Sequence, residues 1–151
     1  MQNGTLPLTH RPVVCGLGPA GLFAALLLAR QGYRPIVLER GPALDERVKA
    51  VEHFSATGEL DENANIQFGE GGAGTFSDGK LNTGTKNPAH RLILETFVEA
   101  GAPRDILWDA KPHIGSDILP KVVTAISQRI EQLGGVVRYR TKLVDIRIDA
   151  S

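Results

Sequence analysis

The sequence GLGPAG, residues 16–21, decides how the fold of this chain is interpreted. Glycines at this spacing form either a dinucleotide-binding turn or an ordinary glycine-rich loop, so the neighbouring residues must distinguish the two. The preceding run PVVCG (12–16) is apolar and β-branched, which predicts a buried parallel strand. The following run PAGLFAALLLARQG (19–32) is apolar on nearly every face, which predicts a helix buried on more than one side.

A second strand completes the unit. Residues Arg34 to Glu39 contain a short apolar run and are predicted to form this strand, which Gly41-Pro42 closes. Strand, tight turn, helix and strand within about thirty residues predict a βαβ unit with a right-handed crossover. The expected fold class is therefore α/β and Rossmann-like.

The motif also fits the chemistry of a dinucleotide site. Gly16 permits the tight turn, Gly18 lets the backbone approach a pyrophosphate, and Gly21 lets the helix lie close to the sheet. Glu39 stands at the expected distance, where an acid accepts hydrogen bonds from a ribose. An acid at that position repels a 2′-phosphate, so NADP is disfavoured. The context favours a dinucleotide turn over a glycine-rich loop with a solvent-facing strand end.

Downstream of this unit, a long polar segment, 58–87, is rich in glycine and cannot be regular helix. It also carries Phe68, Phe76 and Leu81, so we expect an ordered loop that wraps a ligand. The other predicted elements are a helix at 43–54, a helix at 88–101, a longer helix capped by Ser116 and ended by Gly134-Gly135, and β-like runs at 136–140 and 142–149.

Composition excludes several classes of protein. Lys+Arg and Asp+Glu both number 17, so no net charge points to nucleic acid or an anionic membrane. The apolar run 21–29 is too short to span a bilayer. Cys15 is the single cysteine, predicted to be a small hydrophobe at the end of a buried strand, and it excludes an internal disulfide. The histidines show no ligand spacing, so no metal is predicted, and the cysteine usage fits a reducing cytoplasm.

At this point the chain resembles a family. The stretch at 13–41 is similar to the FAD-binding start of glutathione-reductase-type flavoproteins. The stretch NIQFGEGGAGTFSDGKLNTG (65–84) and GAPRDILWDAKPHIGSD (101–117) resemble a family usually described as uncharacterised FAD-dependent dehydrogenases or NAD(P)/FAD-dependent oxidoreductases. The resemblance runs from about Pro12 to Ile148. It implies an incomplete FAD-binding domain over 12–151, with a long Gly-rich loop and two inserted helices. The polar residues before it, 1–11, are expected to form a flexible leader.

The resemblance also implies FAD as the cofactor, with particular residues around it. The turn would cradle the pyrophosphate, Glu39 would bind the adenosine ribose, and Arg47 would reach back towards the phosphates. Arg40 would lie along the adenine, and Leu143 would lend it a backbone contact. The implied cofactor-binding set is Gly16, Gly18, Pro19, Ala20, Gly21, Glu39, Arg40, Arg47, Gly72, Gly74, Thr75, Lys80 and Leu143.

Lys80 and His113 are the candidates for a catalytic role. The resemblance places Lys80 near the N1/C2 carbonyl edge of the flavin, where a cation stabilises the anionic reduced ring. A solvated loop lysine is the alternative. His113 is a candidate proton donor or acceptor beside a substrate, and its alternative is a histidine hydrogen-bonded in a turn.

These observations support a flavoprotein oxidoreductase module that passes electrons or hydride through FAD. Its expected partners are FAD, NAD(P)H or another small-molecule donor, and a missing C-terminal part of a longer enzyme. The chain alone is expected to bind FAD weakly and to lack turnover. The alternatives are an NAD-binding Rossmann dehydrogenase module and a truncated nucleotide-binding chain that is not catalytic.

Overall fold

The computed structural model describes residues 8–81 and 87–148. Three short strands form one parallel sheet in the order β1-β2-β3, and helices connect them. The fold is therefore α/β with a Rossmann-like βαβ unit, as the sequence predicts. The elements are β1 (Val13–Cys15), α1 (Pro19–Arg30), β2 (Ile36–Leu38), α2 (Leu44–Thr57), α3 (Ala89–Glu99), α4 (Leu119–Gln132) and β3 (Val136–Arg138), with 3₁₀ turns at Ala73–Phe76 and Arg104–Leu107.

The close approach of α1 to β1 depends on glycine. Gly16 has a φ of 88°, which lets the chain turn at the end of the strand. A Cβ atom on Gly21 would collide with the carbonyl oxygen of Gly16. The helix therefore begins directly over the end of the strand, which puts its first turn beside the end of β2.

One side of the sheet carries the core. Val14, Val37 and Val137 lie opposite one another in register, and they pack with the buried residues of α1 and α4. Val37 is fully buried. The ring of Phe23 on α1 also meets Phe97 of α3 edge-on at 5.5 Å between centroids, so α1 has neighbours on more than one side.

The prediction that β1 is a buried strand was wrong. Strand side chains alternate between faces, and the second row of the sheet is half-buried or exposed. Val13 is 55% exposed, Cys15 is exposed, and Ile36 and Leu38 are half-buried. The strand lies at one edge of the described sheet, and its outer side chains stand away from α1 and α4.

Two further predictions were wrong. Ser116 does not cap α4, because the helix begins at Leu119 with Ile118 as its N-cap and no side-chain cap hydrogen bond. Gly115, with a φ of 100°, turns the chain, and its carbonyl accepts from the N–H of Leu119 at 3.0 Å. Residues 142–148 form no strand, since no neighbouring strand of the described ranges pairs with them.

The other boundaries shift by a few residues. Helix α2 runs three residues beyond the predicted 43–54 and ends where Gly58, with a φ of 80°, donates its N–H to Phe54. No helix in the described ranges has the length and apolar character needed to cross a membrane. The proposed leader, 1–11, lies largely outside the described residues.

The two faces of the sheet make a matched test. Val37→Thr places a hydroxyl in the core without changing shape or β-branching, and we expect it to lower the free energy of unfolding by about 1–3 kcal/mol. Val13→Thr should change it by less than about 0.5 kcal/mol. Urea unfolding of both variants measures the difference. Equal losses would contradict the assignment of the buried face.

Candidate functional site

A cleft of about 440 Å³ lies where β1 and β2 end. Three segments line it: the turn into α1, the end of β2, and the Gly-rich loop. Residues after β3 close the fourth side. The lining residues are Cys15, Gly16, Gly18, Pro19, Leu38, Glu39, Arg40, Asn63, Gln67, Phe68, Gly69, Gly72, Ala73, Thr141, Lys142 and Leu143. We call this cavity the cleft.

The first turn of α1 opens onto the cleft. Gly18 is the N-cap, with a φ of −65° and no side-chain cap, so its backbone would accept any residue. A Cβ atom there would meet no protein atom within 4 Å. The space beside Gly18 is therefore cleft, and a group placed in it faces the N-terminus of α1. Helix N-termini carry a partial positive charge and attract anions.

Glu39 ties the end of β2 to this turn. The residue is only 5% exposed, and its two carboxylate oxygens accept from the N–H of Leu17 at 2.7 Å and the N–H of Gly41 at 2.8 Å. An ionised carboxylate has about four lone-pair sites, so Glu39 retains acceptor capacity on the cleft that it lines. Replacing it by Ala would leave two N–H groups without their acceptor.

Arg47 lies behind the cleft rather than in it. The side chain is fully buried, and its guanidinium donates to loop carbonyls at Asn65, Ile66, Glu70 and Gly72 over 2.6–3.1 Å. It also lies 4.8 Å from the ring centroid of Phe76. The prediction that Arg47 reaches towards a phosphate stays a prediction. In the structure, the hydrogen bonds of this side chain hold the loop.

Sequence reasoning missed Glu70, the second buried charge behind the cleft. Its carboxylate accepts from the N–H of Leu44 at 2.8 Å and from the hydroxyl of Ser127. Burial, and then the negative charge of Glu70, raise the pKa of the Tyr139 hydroxyl well above its ordinary range. The sequence did hold a signal for this buried charge, namely an acidic residue between glycines in FGEGG. A glycine-rich turn has no regular strand or helix face that would keep such a side chain in solvent.

Burial lowers the pKa of the Arg47 guanidinium, and the carboxylates of Glu39 and Glu70 oppose that shift. The cation and these two anions therefore act on one another in the low-dielectric space behind the cleft.

The structure brings about half of the predicted cofactor-binding residues together. Those that line the cleft are Gly16, Gly18, Pro19, Glu39, Arg40, Gly72 and Leu143. Ala20 and Gly21 do not line it, although their N–H groups have no acceptor within the described ranges. Gly74 is exposed. Thr75 is buried, and its hydroxyl donates to the carbonyl of Glu70 at 3.3 Å.

Lys80 and His113 lie together, away from the cleft lining. Their backbones form an isolated antiparallel bridge, and the Lys80 ammonium pairs with Asp78 at 2.8 Å. That hydrogen bond, more than the charge of Asp78, raises the pKa of Lys80. Both side chains are exposed, as in the alternative of a solvated loop lysine. Their catalytic roles stay predictions.

The fold defines a class of protein, the Rossmann-like α/β chains, and comparison with known proteins adds relatives. No family model matches. The chain is 49% identical over 146 residues to an uncharacterized protein of Clostridium beijerinckii, covering 97% of this chain and 27% of that one. It is 29% identical over 143 residues to aklavinone 12-hydroxylase RdmE of Streptomyces purpurascens, covering 89% of this chain and 26% of that one. The chain thus spans about a quarter of each relative.

Cys15 offers a direct probe of the cleft, because it is the single cysteine and is exposed on the lining. We expect a thiol reagent such as DTNB to modify it in the folded chain within about tenfold of the rate in urea. A ligand that fills the cleft should slow the reaction. A folded chain whose thiol resists the reagent would contradict the exposed position of Cys15.

Proposed function

We propose that this chain is the FAD-binding portion of a flavoprotein oxidoreductase and belongs to a longer polypeptide. The observation that carries the proposal is the cleft, in which a helix N-terminus, a strand-end carboxylate and a glycine-rich wall meet. The first two are groups that a dinucleotide requires, and they occur at the spacing of a dinucleotide turn.

The diphosphate is assigned to the space between the α1 turn and the loop. Within the described ranges the N–H groups of Gly18, Gly69 and Ala73 have no acceptor, and all three residues line the cleft. Backbone donors on opposite walls suit the oxygens of a diphosphate. The cavity beside Gly18 supplies the room that the backbone approach demands.

The adenosine end is assigned to the side formed by β2 and the residues after β3. Glu39 would accept from ribose hydroxyls with the lone pairs that Leu17 and Gly41 leave free. Arg40 and Leu143 would flank the adenine. The chain holds these two segments together, because the N–H of Thr141 donates to the carbonyl of Glu39 at 2.8 Å.

The loop wall favours FAD over NAD, and the name of one relative supports an oxidoreductase. The Gly-rich loop forms a wall of the cleft. A βαβ unit that bound NAD would not need this additional wall. One relative is named as a hydroxylase, and hydroxylation is an oxidoreductase reaction. When bound, FAD supplies the redox chemistry, while the protein supplies binding, orientation and electrostatics. NAD(P)H or another small molecule is the proposed electron donor.

The longer polypeptide is proposed from the relatives, of which this chain spans about a quarter. The remaining part would supply the substrate region and complete the cofactor site. We therefore expect FAD binding by the 151-residue chain to be weak and turnover to be absent.

The test is a titration of the purified chain with FAD, followed by flavin fluorescence and by absorbance at about 450 nm. Gly18→Val places its side chain in the cleft, so we expect affinity to fall at least about tenfold. Ala24→Val, on an exposed position of the same helix, should bind as the native chain does.

Two outcomes would contradict the proposal. Unchanged FAD affinity in Gly18→Val would remove the diphosphate assignment. Binding of NAD in preference to FAD, with protection of Cys15 by NAD alone, would replace the flavoprotein with the NAD-dependent alternative.

A further inference from the structure

The Gly-rich wall of the cleft is held from behind by two buried charged side chains, Arg47 and Glu70. Their relative exposures are 0% and 2%, and neither lines the cleft. Charged side chains are almost never fully buried unless they are paired or hydrogen-bonded. The hydrogen-bond partners of these two side chains belong to the Gly-rich loop and to helices α2 and α4.

Arg47 donates hydrogen bonds to several backbone carbonyls of the loop. Its Nη1 donates to Glu70 at 2.6 Å and to Gly72 at 3.0 Å. Nε and Nη2 donate to the carbonyls of Asn65 and Ile66 at 3.0 and 3.1 Å. Four of the five guanidinium N–H donors are thereby engaged. The carbonyls of a segment eight residues long in sequence, 65–72, converge on one planar group.

Glu70 fixes the same loop to two helices. Its carboxylate accepts from the N–H of Leu44 at the start of α2, and from the hydroxyl of Ser127 on α4. Arg47 lies in the first turn of α2, three residues after Leu44. Helix α2 therefore holds the loop twice, once through a backbone donor and once through a side chain.

The wall is closely packed both towards the α1 turn and towards Arg47. A Cβ atom on Gly72 would stand 2.7 Å from Cδ of Pro19, the first residue of α1, and one on Gly69 would stand 2.8 Å from Nε of Arg47. Both glycines have positive φ, 125° at Gly69 and 69° at Gly72. Movement of the loop would thus change its spacing from the α1 turn directly.

We propose that Arg47 and Glu70 are positioning residues that set the spacing between the Gly-rich wall and the α1 turn, so that the cleft is preorganised for a diphosphate. This inference rests on the proposed function. Because Arg47 holds the loop carbonyls on the side away from the cleft, the N–H groups of Gly69 and Ala73 are left on the cleft wall, and they have no acceptor within the described ranges. The two side chains act on the ligand only through the backbone that they hold.

Arg47→Lys tests the proposal, because Lys keeps the charge and loses the planar fork that gathers several carbonyls. The control is Ile130→Val, which removes a methylene from the core on α4, where Ile130 is fully buried. Affinity for FAD and for ADP is measured at a temperature where both variants are folded. We expect Arg47→Lys to weaken both roughly tenfold or more, and Ile130→Val to leave them unchanged.

A ligand-free readout separates this inference from the proposed function. The N–H of Gly71 donates to Leu17 at 2.9 Å, across the junction of loop and turn. Its amide exchange, followed by NMR, should accelerate at least about tenfold in Arg47→Lys relative to Ile130→Val. If the native chain binds neither FAD nor ADP, the proposed function fails. The exchange rate at Gly71 then decides by itself whether Arg47 fixes the position of the Gly-rich wall.

Unchanged affinity in folded Arg47→Lys would overturn the inference, as would unchanged exchange at Gly71. Should Arg47→Lys not fold, Glu70→Gln replaces it. The amide keeps the size of Glu70 but cannot accept from both Leu44 and Ser127 as the carboxylate does, so the same two measurements should move in the same direction.

Discussion

The buried guanidinium of Arg47 is the constraint on which the site depends. Removing an arginine from water is costly unless its donors are satisfied, and four loop carbonyls satisfy it here. This requirement explains why the segment FGEGG contains three glycines. Gly69, Gly71 and Gly72 all have positive φ, the conformation in which glycine is favoured. They allow a short segment to turn repeated carbonyls towards one side chain.

The same constraint joins the elements that carry the cleft. Helix α2 supplies Arg47, the loop supplies Glu70, and α4 supplies Ser127, while Glu39 links β2 to the turn before α1. The cleft is therefore shaped largely by hydrogen bonds made behind its walls. A substitution behind the wall would alter the shape of the cleft without entering it, whereas the exposed ion pair of Lys80 and Asp78 is screened by solvent and does not line the cleft.

Sequence reasoning predicted what is local and missed what is long-range. The βαβ unit follows from periodicity and turn residues within one stretch, so its strands, helix and glycine turn were found. The burial of Arg47 depends on carbonyls about 20 residues away, and no periodicity reports it. Ser116 has the residue type of a cap, yet Gly115 sets the path into α4. Residues 142–148 have a strand-like pattern, but pairing depends on a neighbour that the pattern does not contain.

The outer face of the sheet bears on the same cleft. Parallel sheets are ordinarily covered on both faces, whereas Val13 is 55% exposed here. Cys15 and Leu38 belong both to this outer row and to the cleft lining. Any polypeptide that covered the outer row would therefore also border the cleft. Covering the sheet and closing the cleft would then be one event, which is the physical reason behind the proposal that this chain alone binds FAD weakly.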